Sequence, residues 1–113
     1  MANHKIERIS SDVAKYISII LLNETRDELL KSITITGCEV SSDLSYAKVY
    51  FTSLLDMDEK QLEHEMKEAS HFIRGKLSSM IDLRHTPELH FVYDKSIEYG
   101  NRIEKKLKEI QNK

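Results

Sequence analysis

The spacing of the apolar residues changes repeatedly along this chain, and those changes restrict the possible folds more than any other feature. Ile6, Ile9, Val13, Ile17, Ile20 and Leu21 recur at steps of three and four, which predicts an amphipathic helix over 3–22 with Asn3 as its N-cap. After a short charged stretch over 24–31 the period drops to two, because Ile33 and Ile35 alternate with Thr34 and Thr36. Across Gly37 the apolar parity shifts to Cys38 and Val40, which predicts a bulge within one strand. The turn-forming run Ser41-Ser42-Asp43-Leu44-Ser45 then leads into a second alternation of Ala47, Val49 and Phe51, so the two strands read as a hairpin.

Helical spacing returns with Leu62, Met66 and Ala69 behind a capping pair read as Asp56 and Glu59. Phe72, Ile73, Leu77, Met80 and Ile81 form a stripe that reads as out of phase with the first. That slip predicts a bend or a break between two helices at Ala69, Ser70 and His71, with Phe72 in the core. Pro87 biases Thr86 toward an extended conformation, and Leu89, Phe91 and Tyr93 supply a third strand. Asp94 then starts a last helix through Ile97, Ile103, Leu107 and Ile110. The order α-β-β-α-α-β-α in 113 residues predicts a single α+β domain over 1–113. Its three-stranded sheet carries the helices on one face and leaves the other open.

The longest strongly apolar run, Tyr16 to Leu22, is about a third of a bilayer span, and the first residues lack the features of a signal peptide. With a single cysteine the expectation is a cytoplasmic protein without an internal disulfide. Catalytic readings find little support. Cys38 lies within a strand pattern with no histidine placed beside it. His64, His71, His85 and His90 match no zinc-binding spacing, and no glycine-rich phosphate loop is present. Glu63, Glu65 and Glu68 read as a solvated helix face, so the expectation is no enzyme, no metal and no cofactor.

Charge is segregated although the total is only −2. Residues 54–69 sum to −4, residues 70–87 to +2 and residues 101–113 to +3. Arg74, Lys76, Arg84 and His85 form a cationic group able to meet phosphates. Arg84 has a second reading as a partner of Asp82 or Glu88. Arg102, Lys105, Lys106 and Lys108 make a basic tail, and Tyr46, Lys48, Tyr50 and His90 fall on the open sheet face, where aromatic rings can stack on bases. An alternative is a protein-interaction module docking through the acidic 54–69 face without RNA contact.

Two strings are more specific. Val40-Ser41-Ser42-Asp43-Leu44 followed by Ala47-Lys48-Val49-Tyr50, and Leu83-Arg84-His85-Thr86-Pro87-Glu88-Leu89-His90-Phe91-Val92-Tyr93-Asp94-Lys95-Ser96, resemble the ribosome-binding factor A family over nearly the whole chain. The resemblance implies a type II KH-like domain, α-β-β-α-α-β with a C-terminal helix. It also implies a non-catalytic monomer that binds the free 30S subunit and its 16S rRNA during late maturation and rRNA processing, and that supports growth in the cold. In place of the KH glycine loop, the family has an Ala-x-Gly kink between paired helices. Ala69, Ser70 and His71 occupy that place here, and a positive φ retained at His71 would be strained. Arg74, Lys76, Arg84 and His85, helped by Lys5, Arg8 and Lys48, are then the expected rRNA contacts.

Overall fold

The computed structural model describes residues 4–96. Six elements follow in order: α1 (His4–Asn23), α2 (Glu28–Lys31), β1 (Ile33–Val40), β2 (Tyr46–Ser53), α3 (Glu59–Met80) and β3 (Glu88–Tyr93). The expected Asn3 cap, the final helix and the basic tail lie outside the described residues. None of the described helices is long and apolar enough to cross a membrane.

The sheet order is β1-β2-β3, with β1 antiparallel and β3 parallel to β2. The register of the hairpin slips between Ile35 and Gly37, so the bulge lies where the parity of the apolar residues changes. Its turn is held by Asp43, whose Oδ1 accepts from the Ser41 hydroxyl at 2.7 Å, the Ser45 hydroxyl at 2.8 Å and the Ser45 N–H at 3.1 Å. These bonds, the Ser41 hydroxyl foremost, lower the Asp43 carboxyl to about 2. Leu44 closes the turn with a φ of 65°, the one positive value at a non-glycine residue among those described.

Both long helices pack on one sheet face, α1 over β1 and α3 over β3. Ala47, Val49 and Phe51 of the central strand are completely buried beneath them. Ile9, Val13, Ile17, Ile20 and Leu21 come from α1, and Leu62, Met66, Ile73 and Leu77 from α3. Phe51 meets Phe91 and Tyr93 edge to face, with centroids 6.4 Å and 5.8 Å away. The opposite sheet face carries Tyr46, Lys48, Tyr50 and His90. The α+β architecture is therefore as the sequence predicts, and no described element covers the opposite sheet face.

Three local expectations are corrected. The cap of α3 is Asp58, whose carboxylate accepts from Lys60 and Gln61 N–H, and not Asp56. The connection over 24–31 contains one helical turn, capped by Asp27 accepting from the Leu29 N–H at 2.9 Å. The third correction is larger. Helical hydrogen bonding runs unbroken from Glu59 to Met80, so Ala69, Ser70 and His71 do not separate two helices. Its inner stripe is Leu62, Met66, Ala69, Ile73, Leu77 and Met80, a single phase at steps of three and four. The apparent slip came from counting Phe72 as core, whereas its side chain is 42% exposed. His71 is an ordinary helical residue without a positive φ.

One buried polar contact secures the outer edge of the sheet. The Val40 N–H points away from β2 and donates to the buried Ser10 hydroxyl of α1 at 3.0 Å. Ser10→Ala should therefore lower stability by about 1–3 kcal/mol by leaving that N–H unpaired, while Ser11→Ala on the exposed side should change it by less than about 0.5 kcal/mol. Urea unfolding of the two variants measures the difference. The single phase of α3 predicts a second contrast: Ile73→Ala should cost about 2–5 kcal/mol as a core truncation, and Phe72→Ala less than about 1 kcal/mol. Equal effects of the two truncations would refute the assignment of faces.

Candidate nucleic-acid interface

The free edge of β3 faces α3 across an open groove. The Glu88 and Asp94 N–H groups donate to Ser45 and Phe51 carbonyls on the β2 side, so the backbone groups of Leu89, Phe91 and Tyr93 point the other way. The helix holds this edge at both ends. Glu63 Oε2 accepts from the Tyr93 N–H at 2.9 Å, and the Arg74 guanidinium donates to the Thr86 carbonyl from Nη2 at 2.8 Å and Nε at 3.3 Å. Between those two contacts lies a concavity of about 640 Å³, with Leu89 and Phe91 along its floor.

The wall supplied by α3 is a row of cationic and hydrogen-bonding side chains. Lys60, His64, Lys67, His71 and Arg74 follow one another at steps of three and four and all line the groove. On the opposite wall the Tyr46 and His90 rings stack, with centroids 4.1 Å apart and planes 18° from parallel. A second concavity of about 340 Å³ continues from the same helix face and is lined by His71, Arg74, Gly75, Ser78, Arg84, His85 and Thr86. His71 and Arg74 belong to both, so the two make one track about five helical turns long.

Four histidine and lysine positions in this row, Lys60, His64, Lys67 and His71, were not among the expected rRNA-binding residues. Their signal was a 3.5-residue spacing, three of its four positions hidden within the 54–69 segment whose summed charge is −4. Several of the acids of that segment are also engaged within the chain. Asp58 caps the helix, Glu63 holds β3, Glu59 meets Lys95 at 3.0 Å and Glu68 meets His64 at 3.7 Å.

The expected cationic residues separate into four places. Arg74, Arg84 and His85 converge on the second concavity. Arg84 makes no ion pair among the described residues, and Glu88 sits 3.4 Å from His90 instead, so neither Asp82 nor Glu88 takes Arg84. Lys76 lies on the outer side of α3, 3.7 Å from Glu24 and 5.9 Å from the Phe72 ring centroid. Lys48 is on the open sheet face, 5.5 Å from the Tyr50 ring. Lys5 and Arg8 are exposed near the start of α1, at the end of that helix remote from Glu24.

No three His, Cys, Asp or Glu side chains among the described residues converge on a point where a metal could sit. Cys38 is half-buried beside β1's outer edge, and burial, with a smaller contribution from Glu39, pushes its thiol up to about 12.

Comparison with known proteins decides the family. The model of Ribosome-binding factor A matches residues 5–107. The chain belongs to the ribosome-binding factor A family. Its relative in Ligilactobacillus salivarius (strain UCC118), named ribosome-binding factor A, is 37% identical over 99% of this chain and 97% of its own length. A solution structure of the Thermotoga maritima protein TM0855, a putative ribosome binding factor A, superposes with a TM-score of 0.69. It is 27% identical and covers 87% of this chain and 94% of that one. A Thermus thermophilus ribosome binding factor A fitted into a map of a 30S complex shares the fold, with a TM-score of 0.65 at 16% identity, over 80% of this chain and 96% of that one. The ribosome-binding factor A fold is KH-like, and the parallel pairing of β2 with β3 is present here.

The raised Cys38 thiol leads to a direct check. Alkylation by iodoacetamide at pH 8 should be slower in the folded chain than in urea by a factor on the order of 1,000, since only the thiolate reacts. Equal rates would contradict the burial of this group.

Proposed function

We propose that this chain is a ribosome assembly factor that binds the free 30S subunit through 16S rRNA. On this reading it acts in the cytoplasm as a monomer and assists late maturation, including rRNA processing, by binding and not by catalysis. The observation that carries the proposal is the α3 row running from Lys60 to Arg74 and on to Arg84 and His85, along one continuous track. A row of cations at helical spacing beside a concave wall suits a phosphodiester backbone, whose repeated charges are met by displacing condensed counterions. Membership of the ribosome-binding factor A family and the 30S complex of the Thermus thermophilus relative support the choice of polyanion.

The acidic-face alternative is less favoured, because Asp58, Glu59, Glu63 and Glu68 already have partners within the chain. Lys76 can contribute only in competition with Glu24. Lys5, Arg8 and Lys48 would lie at the margins of the interface.

Co-sedimentation of the purified protein with 30S and 50S subunits across a salt series tests the proposal. The expected result is selective binding to free 30S subunits that weakens steeply with salt. Replacing Lys60, Lys67 and Arg84 by Ala should reduce the salt slope by about 1 for each phosphate no longer neutralised, with an unchanged thermal midpoint. Arg74 is left intact in this variant because it also holds Thr86. Wild-type affinity and slope in the triple variant would exclude the track.

A further inference from the structure

Phe72 and Gly75 lie outside the buried core. Phe72 is 42% exposed on the outer side of α3, with the Lys76 ammonium 5.9 Å from its ring centroid. Gly75 sits in the interior of a 22-residue helix, where glycine lowers stability relative to alanine. Its φ is not positive, and a Cβ placed there would meet no atom within 4 Å, so neither backbone conformation nor packing calls for it. Both residues cost something in the free chain. Each becomes understandable if a ligand lies against this side of the helix, because an exposed ring offers a stacking surface and a missing side chain lets a backbone come close.

The charges around the pair indicate what the ligand is. Gly75 lines the concavity shared by Arg74, Ser78, Arg84 and His85, whereas Lys76 lies outside it and meets Glu24 at 3.7 Å. Toward the start of the helix, one and two turns before Phe72, the side chains become acidic, at the exposed Glu68 and the half-buried Glu65. A phosphate is therefore favoured over Gly75 and disfavoured beyond Phe72, where a flat uncharged group fits. Along the helix axis the two residues are about 4.5 Å apart, within the span from a phosphate to its own base.

We propose that Phe72 and Gly75 form a subsite for one unpaired nucleotide of RNA, its base on the Phe72 ring and its sugar-phosphate crossing Gly75 toward Arg74, Arg84 and His85. The assignment rests on the proposed RNA-binding function and adds a selectivity to it. Bases in a duplex are stacked on one another and cannot lie on Phe72, so this subsite makes the protein distinguish single-stranded RNA from double-stranded RNA of equal charge.

The chain contains no tryptophan, so Phe72→Trp supplies a single fluorescent reporter at the site. Titration of this variant with a short single-stranded RNA should quench the indole, and a duplex of the same length should not. With labelled RNA, Phe72→Ala should weaken single-strand binding about tenfold and leave duplex binding and the thermal midpoint unchanged. Gly75→Ala should raise the thermal midpoint while weakening single-strand binding, a divergence that a merely structural glycine would not produce. Wild-type RNA binding with no quenching, and with unaltered affinities in both alanine variants, would overturn the subsite and leave the RNA-binding function standing. Abolished 30S binding in Phe72→Ala with RNA affinity intact would also overturn it, by assigning Phe72 to a protein contact. Failure of the wild-type chain to bind either RNA would overturn the subsite and the RNA-binding reading together.

Discussion

The parallel pairing of β2 with β3 is the constraint on which the rest of this structure depends. Parallel neighbours cannot be joined by a tight turn, so the chain must cross back over the sheet before β3 can start. Helix α3 makes that return, and its length and position follow from it: 22 residues lying over β3, with one face in the core. The same crossing sets a cationic helix face beside a strand edge. Fold and candidate site are thus two results of one connection.

That helix carries two messages in one sequence. Its inner stripe of Leu62, Met66, Ile73 and Leu77 packs on Val49, Phe51 and Phe91 in a common core. Its other face repeats at nearly the same period with Lys60, His64, Lys67, His71 and Arg74. Because both rows share the helical repeat, any shift in phase would expose apolar residues and bury cations together, and the hydrophobic row fixes where the basic one points.

The strands, the bulge and most of the core were legible in the sequence because alternation is a short-range signal. Ile33 and Ile35 giving way to Cys38 and Val40 could come from little other than an extra residue in one strand. Helix α3 was harder to read, for one definite reason. Phe72 is large and apolar, and hydrophobicity alone cannot say that it faces outward, so including it produced a false phase slip and with it a false break at Ala69, Ser70 and His71. The basic row was missed because charge summed over a window is blind to direction. Lys60, His64 and Lys67 share their segment with Glu59, Glu63 and Glu68, and only the folded chain shows that those acids are turned to β3, to Lys95 and to His64. The basic stretch over 70–87 did point to Arg74, Arg84 and His85, because no large block of acids masks it, but not to Lys60 or Lys67.

The two side chains that hold the ends of β3 also bear on how the protein behaves when crowded. An unpaired strand edge ordinarily invites another extended chain to continue the sheet, the first step of many aggregates. Here Glu63 has taken the Tyr93 N–H and Arg74 the Thr86 carbonyl, leaving an open length of only a few residues between two charged posts. A strand cannot zip along an edge closed at both ends, whereas a narrower guest can enter from above. The β3 edge therefore keeps main-chain polar groups open in its groove while offering a second strand only a short run to extend.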